Sequence, residues 1–339
     1  MKYNLLGNTG LKVSELCLGT MTFGSPGGRF AAINGVDQAG ADALLKRSLE
    51  AGINFIDTAN IYTEGQSEVI TGQAIRNLGT DRHSLVLATK VRSQMGDGPN
   101  ELGLSRKHIM QQAEASLKRL NTDYIDLYQI HGTDNLTPLD ETLRALDDLV
   151  RQGKVRYIGA SNVAAWQLMK ALGISHYQQL ERFVSLQAYY TVAGRDLERE
   201  LVPLLLDQRV GLMVWSPLAG GFLSGKYTRE NQQGEGRRSG FDFPPVNKDL
   251  AFTIVDKLRP MAEAKGTTVA ALALAWLLHQ PVVSTVIIGA KKMDQLEDNL
   301  RAVDVQFTPD ELKELADVSQ LAPEYPGWML AFQGADRQA

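Results

Sequence analysis

The 339-residue chain has one cysteine, five histidines and no apolar run approaching the ~20 residues that cross a bilayer. A single cysteine excludes a disulfide within the chain. Its setting, Leu16-Cys17-Leu18, reads as a small buried hydrophobe in a protein of a reducing compartment. The first residues, Met1-Lys2-Tyr3-Asn4, carry no apolar signal core, so the expectation is a soluble, cytoplasmic protein. A cationic surplus is also lacking. The 35 Lys and Arg face 39 Asp and Glu, a net charge of -4, which argues against nucleic acid or an anionic membrane as a partner and leaves any anion site to be local. No low-complexity linker interrupts the chain, and 44% hydrophobic content suffices for a large core, so residues 1–339 are expected to form one domain.

Two further absences narrow the fold and the chemistry. The first strand candidate is followed by Leu18-Gly19-Thr20-Met21-Thr22-Phe23-Gly24, which lacks the G-x-G-x-x-G turn of a doubly wound dinucleotide fold. A metal hydrolase needs clustered His and carboxylate ligands, yet only His131 ends a strand candidate. His83, His108, His176 and His279 lie before strands or on helices, where solvation or capping accounts for them. No metal site is expected.

What is present is alternation. After a hairpin around Gly7-Asn8-Thr9-Gly10, short apolar runs at 15–19, 54–57, 85–89, 124–130, 155–159, 183–187, 211–215 and 284–288 read as strands. Between them lie amphipathic stretches such as Ala39 to Ala51, Ser67 to Asn77, Ser105 to Leu120, Pro138 to Gln152, Val163 to Leu172, Asp196 to Gln208 and Val269 to Leu278. Ser105 reads as an N-cap and Gly153 as a C′ stop. Eight strand-helix units predict a (β/α)₈ TIM barrel of parallel strands with an N-terminal hairpin. Long loops at 23–38, 92–104 and 227–248 follow the first, third and seventh barrel strands, on the rim where binding loops gather.

Ionisable residues stand at or just past three of these strand ends: Asp57 with Tyr62 five residues later, Lys90, and His131. In this order and with these flanks, from Gly52 to Tyr62, Leu85 to Lys90 and Tyr124 to His131, they resemble the catalytic tetrad of the aldo-keto reductases. The longer branch of that family, which includes the potassium-channel β-subunits, is the most similar. The resemblance implies reduction of a carbonyl by hydride transfer. Tyr62 would donate the proton, its ordinary pKa of about 10 lowered by the Lys90 ammonium. Asp57 would hold Lys90, and His131 would orient the carbonyl. Substrates would be small aldehydes or ketones in a pocket including Phe23, Phe30, Tyr62, His131, Met21 and Trp215, with Trp328 joining if the C-terminal segment folds back.

The resemblance also implies a cofactor site. Ser161, Asn162 and Gln187 match the groups that hydrogen-bond a nicotinamide carboxamide, and Trp215 the aromatic that stacks on its ring. Gly19, Thr20 and Met21 at the first strand end, with Asp57, would line it. Ser216, Pro217, Leu218, Gly220 and Lys226 match the loop that wraps the pyrophosphate, and Arg237, with Arg238 beside it, belongs to a segment that can fold over it. Gly289, Lys291, Gln295, Asp298 and Asn299 match the helix start that receives the adenosine 2′-phosphate and the adenine. NADPH is the implied cofactor, but small monomeric reductases carry Arg where this chain has Gln295, which keeps NADH possible. A nucleotide-binding regulatory subunit with vestigial activity is the alternative from another class, and a homo-oligomer is open.

Overall fold

The computed structural model describes residues 1–28, 31–229, 238 and 242–335. The chain begins with the expected antiparallel hairpin, β1 (Tyr3–Leu5) paired with β2 (Lys12–Ser14). Eight strands follow: β3 (Leu16–Gly19), β4 (Phe55–Asp57), β5 (Val86–Val91), β6 (Ile125–Ile130), β7 (Val155–Ser161), β8 (Phe183–Tyr189), β9 (Gly211–Trp215) and β10 (Val283–Ile288). They pair in chain order, all parallel, and β10 returns to β3 to close the barrel. Every C-terminal strand end therefore opens on one rim.

The barrel has two apolar layers because successive strand residues face opposite ways. Cys17, Phe55, Ala88, Leu127, Met213 and Ile287 fill its interior, while a larger cluster lies between strands and helices. Cys17 is fully buried, and burial pushes its thiol pKa well up, as a small core hydrophobe requires. The hairpin tip closes the N-terminal end so tightly that a Cβ on Gly7, at φ +60°, would sit 2.3 Å from the Val184 carbonyl oxygen.

The surrounding helices are α1 (Gln38–Glu50), α2 (Gln66–Asn77), α3 (Arg106–Leu120), α4 (Leu139–Arg151), α5 (Ala165–Gln178), α6 (Leu201–Gln208), α7 (Lys248–Lys265), α8 (Val269–Leu278), α9 (Met293–Leu300), α10 (Pro309–Val318) and α11 (Gly327–Gly334). Ser105 caps α3 by accepting from His108 N. The stretch from Asp196 to Gln208 is not one helix: a short 3₁₀ turn at Asp196–Glu198 precedes α6, whose Pro203 lies in the first turn, where no N–H is needed. His108 is likewise not solvated. It is buried on α3, and burial lowers its pKa against the opposing backbone groups of Ser93 and Asn100. No single helix among the described residues is long and apolar enough to cross a membrane.

Candidate active site

Asp57 ends β4, Lys90 lies next to the end of β5 and His131 follows β6, so barrel closure brings them to one rim. Tyr62 arrives from a turn that begins where its N–H bonds to Ala59 O. The Lys90 Nζ is fully buried and donates to Asp57 Oδ2 at 2.5 Å, to Thr58 O at 2.9 Å and to the Tyr62 hydroxyl at 3.2 Å. All three ammonium protons are thereby used. Burial acts to lower the Lys90 pKa, but Asp57 and Tyr62 prevail and hold it above the usual lysine value. The phenol oxygen accepts from Lys90, so its own proton is directed elsewhere.

His131 meets Tyr62 edge-on, with ring centroids 5.8 Å apart, and its buried Nδ1 has no partner among the described residues. Burial, then the charges of Lys90 and Arg92, push its pKa down to about 3, so the ring is neutral at ordinary pH. A neutral imidazole beside a phenol backed by an ammonium can hydrogen-bond a carbonyl oxygen and protonate it as charge develops.

Sequence reasoning missed Gln129. It is fully buried on β6, and its Nε2 donates to Asp57 Oδ1 at 3.0 Å. Gln187 Nε2 donates to the same oxygen at 3.0 Å and to Gln129 Oε1 at 3.3 Å. The signal was available: with a period of two, Leu127, Gln129 and His131 all face inward, and a carboxamide at an inward position needs partners. Gln187 was expected to face the cofactor, but its NH₂ end is committed to Asp57 and Gln129. Its Oε1 is the end left to face a ligand. Met95, from the 92–104 loop, was also missed; with Met21 it packs on the cluster of Ala59, Ile61 and Tyr62.

On the far side of the rim, Ser161 Oγ donates to Gln187 O at 3.0 Å and accepts from Asn162 Nδ2 at 3.0 Å. Asn162 also bonds to His131 O, while its Oδ1 accepts from Trp215 Nε1 at 3.0 Å. Trp215 is thus braced upright at the end of β9. Phe243 stacks on it, with centroids 5.8 Å apart and planes 7° from parallel.

After Trp215 the loop turns back on itself. Ser216 Oγ accepts from Gly220 N at 3.1 Å, and Gly220 and Gly221 adopt φ of +66° and +91°. Pro217 is buried, Leu218 half-buried and Lys226 exposed. Arg238 lies over this loop, donating to Ala219 O at 2.8 Å and Pro244 O at 3.0 Å and pairing with Asp242. At the start of α9, Gln295 Oε1 accepts from Lys291 N at 2.8 Å and Asn299 Nδ2 donates to Gly289 O. Lys291 and Lys292 are exposed there, and Asp298 is half-buried.

At the end of β3, Gly19 pairs with Asp57 in the parallel register and Thr20 N bonds to Asp57 O at 2.9 Å. Phe23 does not open on the cleft: it is 1% exposed within the outer core cluster. Trp328 is half-exposed on α11, in a segment held by Arg199, whose Nε lies 3.1 Å from Glu324. Phe30 and Arg237 lie outside the described residues. No cluster of His, Cys, Asp and Glu able to hold a metal ion occurs among the described residues.

A closed parallel barrel with this rim defines the class, and the sequence agrees. Residues 15–320 match the aldo/keto reductase family, and the chain belongs to it; this is a family of oxidoreductases. Among its relatives, a probable voltage-gated potassium channel subunit beta of Arabidopsis thaliana is 38% identical over 96% of this chain and 99% of that protein. The uncharacterized oxidoreductase YrpG of Bacillus subtilis (strain 168) is 39% identical over 94% of this chain and 96% of its own length. Versiconal hemiacetal acetate reductase of Aspergillus parasiticus is 34% identical over 96% of this chain and 99% of its own.

Proposed function

We propose that the protein reduces aldehydes or ketones to alcohols with NADPH, and that Tyr62 is the proton donor. The observation that carries this reading is the buried contact of the Lys90 ammonium with both Asp57 and the Tyr62 hydroxyl. The described residues fit a nicotinamide cofactor: Gln187 has an acceptor left over, Trp215 offers a braced ring, and the exposed Lys226 stands beside the tight Gly220-Gly221 turn, where its charge can meet a phosphate. When bound, the cofactor supplies the hydride.

The chain's residues do the rest. His131, neutral, donates to the substrate oxygen and orients it, and Tyr62 passes its proton to that oxygen. Lys90 stabilises the phenolate left behind, while Asp57 keeps Lys90 in place and charged. Ser161, Asn162 and Gln187 would hold the carboxamide, Lys226 and the Ser216 loop the pyrophosphate. Lys291 and Lys292 would meet the 2′-phosphate, with Asp298 and Asn299 near the adenine; Gln295 in place of an arginine leaves NADH usable.

Similarity to channel β-subunits favours a second reading, a nucleotide-binding subunit with vestigial turnover. The intact relay argues for the enzyme.

The test is consumption of NADPH, followed by its absorbance, with an activated aromatic aldehyde. Tyr62→Phe is expected to lower kcat by about 10²–10⁴-fold while the dissociation constant for NADPH changes little. Retention of most of the wild-type kcat would move the proton donor elsewhere.

A further inference from the structure

Arg92 follows β5 directly, two residues past Lys90 at the C-terminal rim of the barrel, with a backbone φ of +151° that ends the strand there. Its Nε donates to Thr133 O at 2.7 Å. The guanidinium crosses the chain where residue 132 has no side chain: a Cβ on Gly132 would lie 3.3 Å from Arg92 Cδ and 3.4 Å from its Nε. His131 adjoins that crossing, and the Arg92 charge is among the causes of its low pKa, after burial and Lys90.

Arg92 is half-buried, yet among the described residues no carboxylate pairs with it. Arg47, Arg82, Arg119 and Arg195 each have one, whereas the half-buried Arg182 and Arg259, far from this rim loop, also donate to a backbone carbonyl, Gln208 O and Gly225 O. The carboxylates of the neighbouring loops are turned to backbone amides instead. Glu101 accepts from Gly98 N at 3.1 Å, and Asp134 from Leu104 N at 2.7 Å and Leu136 N at 2.9 Å. Asp97, on the same loop as Glu101, is exposed. A half-buried guanidinium with no carboxylate on it among the described residues keeps N–H donors that a planar anion can take.

Barrel order sets Arg92 apart from the loops proposed to hold the cofactor. β3 and β4 separate β5 from β10, and β6, β7 and β8 separate it from β9. Arg92 therefore stands across the mouth from the Ser216 loop and the start of α9, on the side left to the substrate.

We propose that Arg92 forms an anion subsite in the substrate cleft, and that the preferred substrates are carbonyl compounds carrying a carboxylate. The inference rests on the reductase reading of the same site. Its test compares reduction of 4-carboxybenzaldehyde with that of the uncharged methyl ester, at low and high salt, in wild type, Arg92→Gln and Arg92→Lys. In wild type the acid-to-ester ratio of kcat/KM should exceed about ten and fall with salt, the size expected of a charge-assisted contact. Arg92→Gln should bring the ratio close to one, and Arg92→Lys should retain part of it.

A wild-type ratio near one, or a ratio that survives Arg92→Gln, overturns the subsite. If neither aldehyde is turned over, the reductase reading fails by itself, and binding decides the subsite. Benzoate, measured by calorimetry with benzamide as the uncharged control, should bind wild type about tenfold or more tightly than Arg92→Gln. Equal benzoate binding to both proteins overturns it.

Discussion

Lys90 has no exposed surface and keeps its charge, a state that costs several kcal/mol unless a counterion and hydrogen bonds meet it. Asp57 supplies the charge, but a carboxylate with one oxygen on Lys90 needs donors for the other. Gln129 and Gln187 both provide them, so the ion pair belongs to a four-residue network across β4, β5, β6 and β8. Gln129→Leu removes one of those donors. It should lower the free energy of unfolding by about 1.5–3 kcal/mol, the usual worth of a hydrogen bond to a charged group, as read from urea denaturation. An unchanged denaturation midpoint would show that Gln187 alone satisfies Asp57.

The element that delivers Tyr62 is strained. Thr63, Glu64 and Gly65 follow it with φ of 47°, 56° and 93°, a left-handed turn in which a β-branched residue is uncomfortable by about 1–3 kcal/mol. Contacts offset that cost: Thr63 Oγ1 donates to Phe23 O at 3.0 Å and Glu64 N to Ile61 O at 3.0 Å. On α2, which follows directly, the buried Glu68 takes Arg119 Nε and Thr89 Oγ1, each at 2.5 Å, tying the helix to the strand that carries Lys90. A Cβ on Gly65 would stand 2.8 Å from Arg119 Cδ. Gly65→Ala should therefore cost about 1–3 kcal/mol of stability. It should also lower kcat by about tenfold or more, because a small displacement of a reacting group is expensive. Thermal melts and single-turnover rates check both, and a normal rate in a destabilised protein would separate the turn from the chemistry.

At the scale of the whole molecule, two buried histidines link folding to pH. His131, at about 3, and His108, also lowered, bind protons less readily when folded than at the unfolded value of about 6.5. The unfolded chain therefore takes up protons first as pH drops, so stability is full above about 6.5 and declines from there toward about 3. Lys90 acts in the opposite range: its raised pKa adds stability that is present below the ordinary lysine value and is lost at higher pH. The melting temperature should fall between pH 7 and pH 5, less steeply in His131→Asn. A melting temperature that does not change over this range would mean that both rings protonate without penalty.

The barrel and its rim were legible in the sequence because their signals are local. Apolar runs alternating with amphipathic stretches locate all eight strands, and polar groups at strand ends mark the rim, since parallel strands in one closed sheet point their ends the same way. Asp57, Lys90 and His131 were placed on the rim for that reason, while Tyr62, five residues past its strand, was marked only by the likeness of the four to the family's tetrad. Tertiary structure decided what depends on closure. Gln187 reaches Asp57 across 130 positions of sequence, and no spacing rule links β8 to β4. Phe23 looked like a loop aromatic but is core, because the loop after β3 folds back onto the barrel wall. Arg92 is one basic residue among 35 in the sequence. Only the packed loops show that the neighbouring carboxylates are occupied elsewhere, because electrostatic pairing is set by distances in space and not by position along the chain.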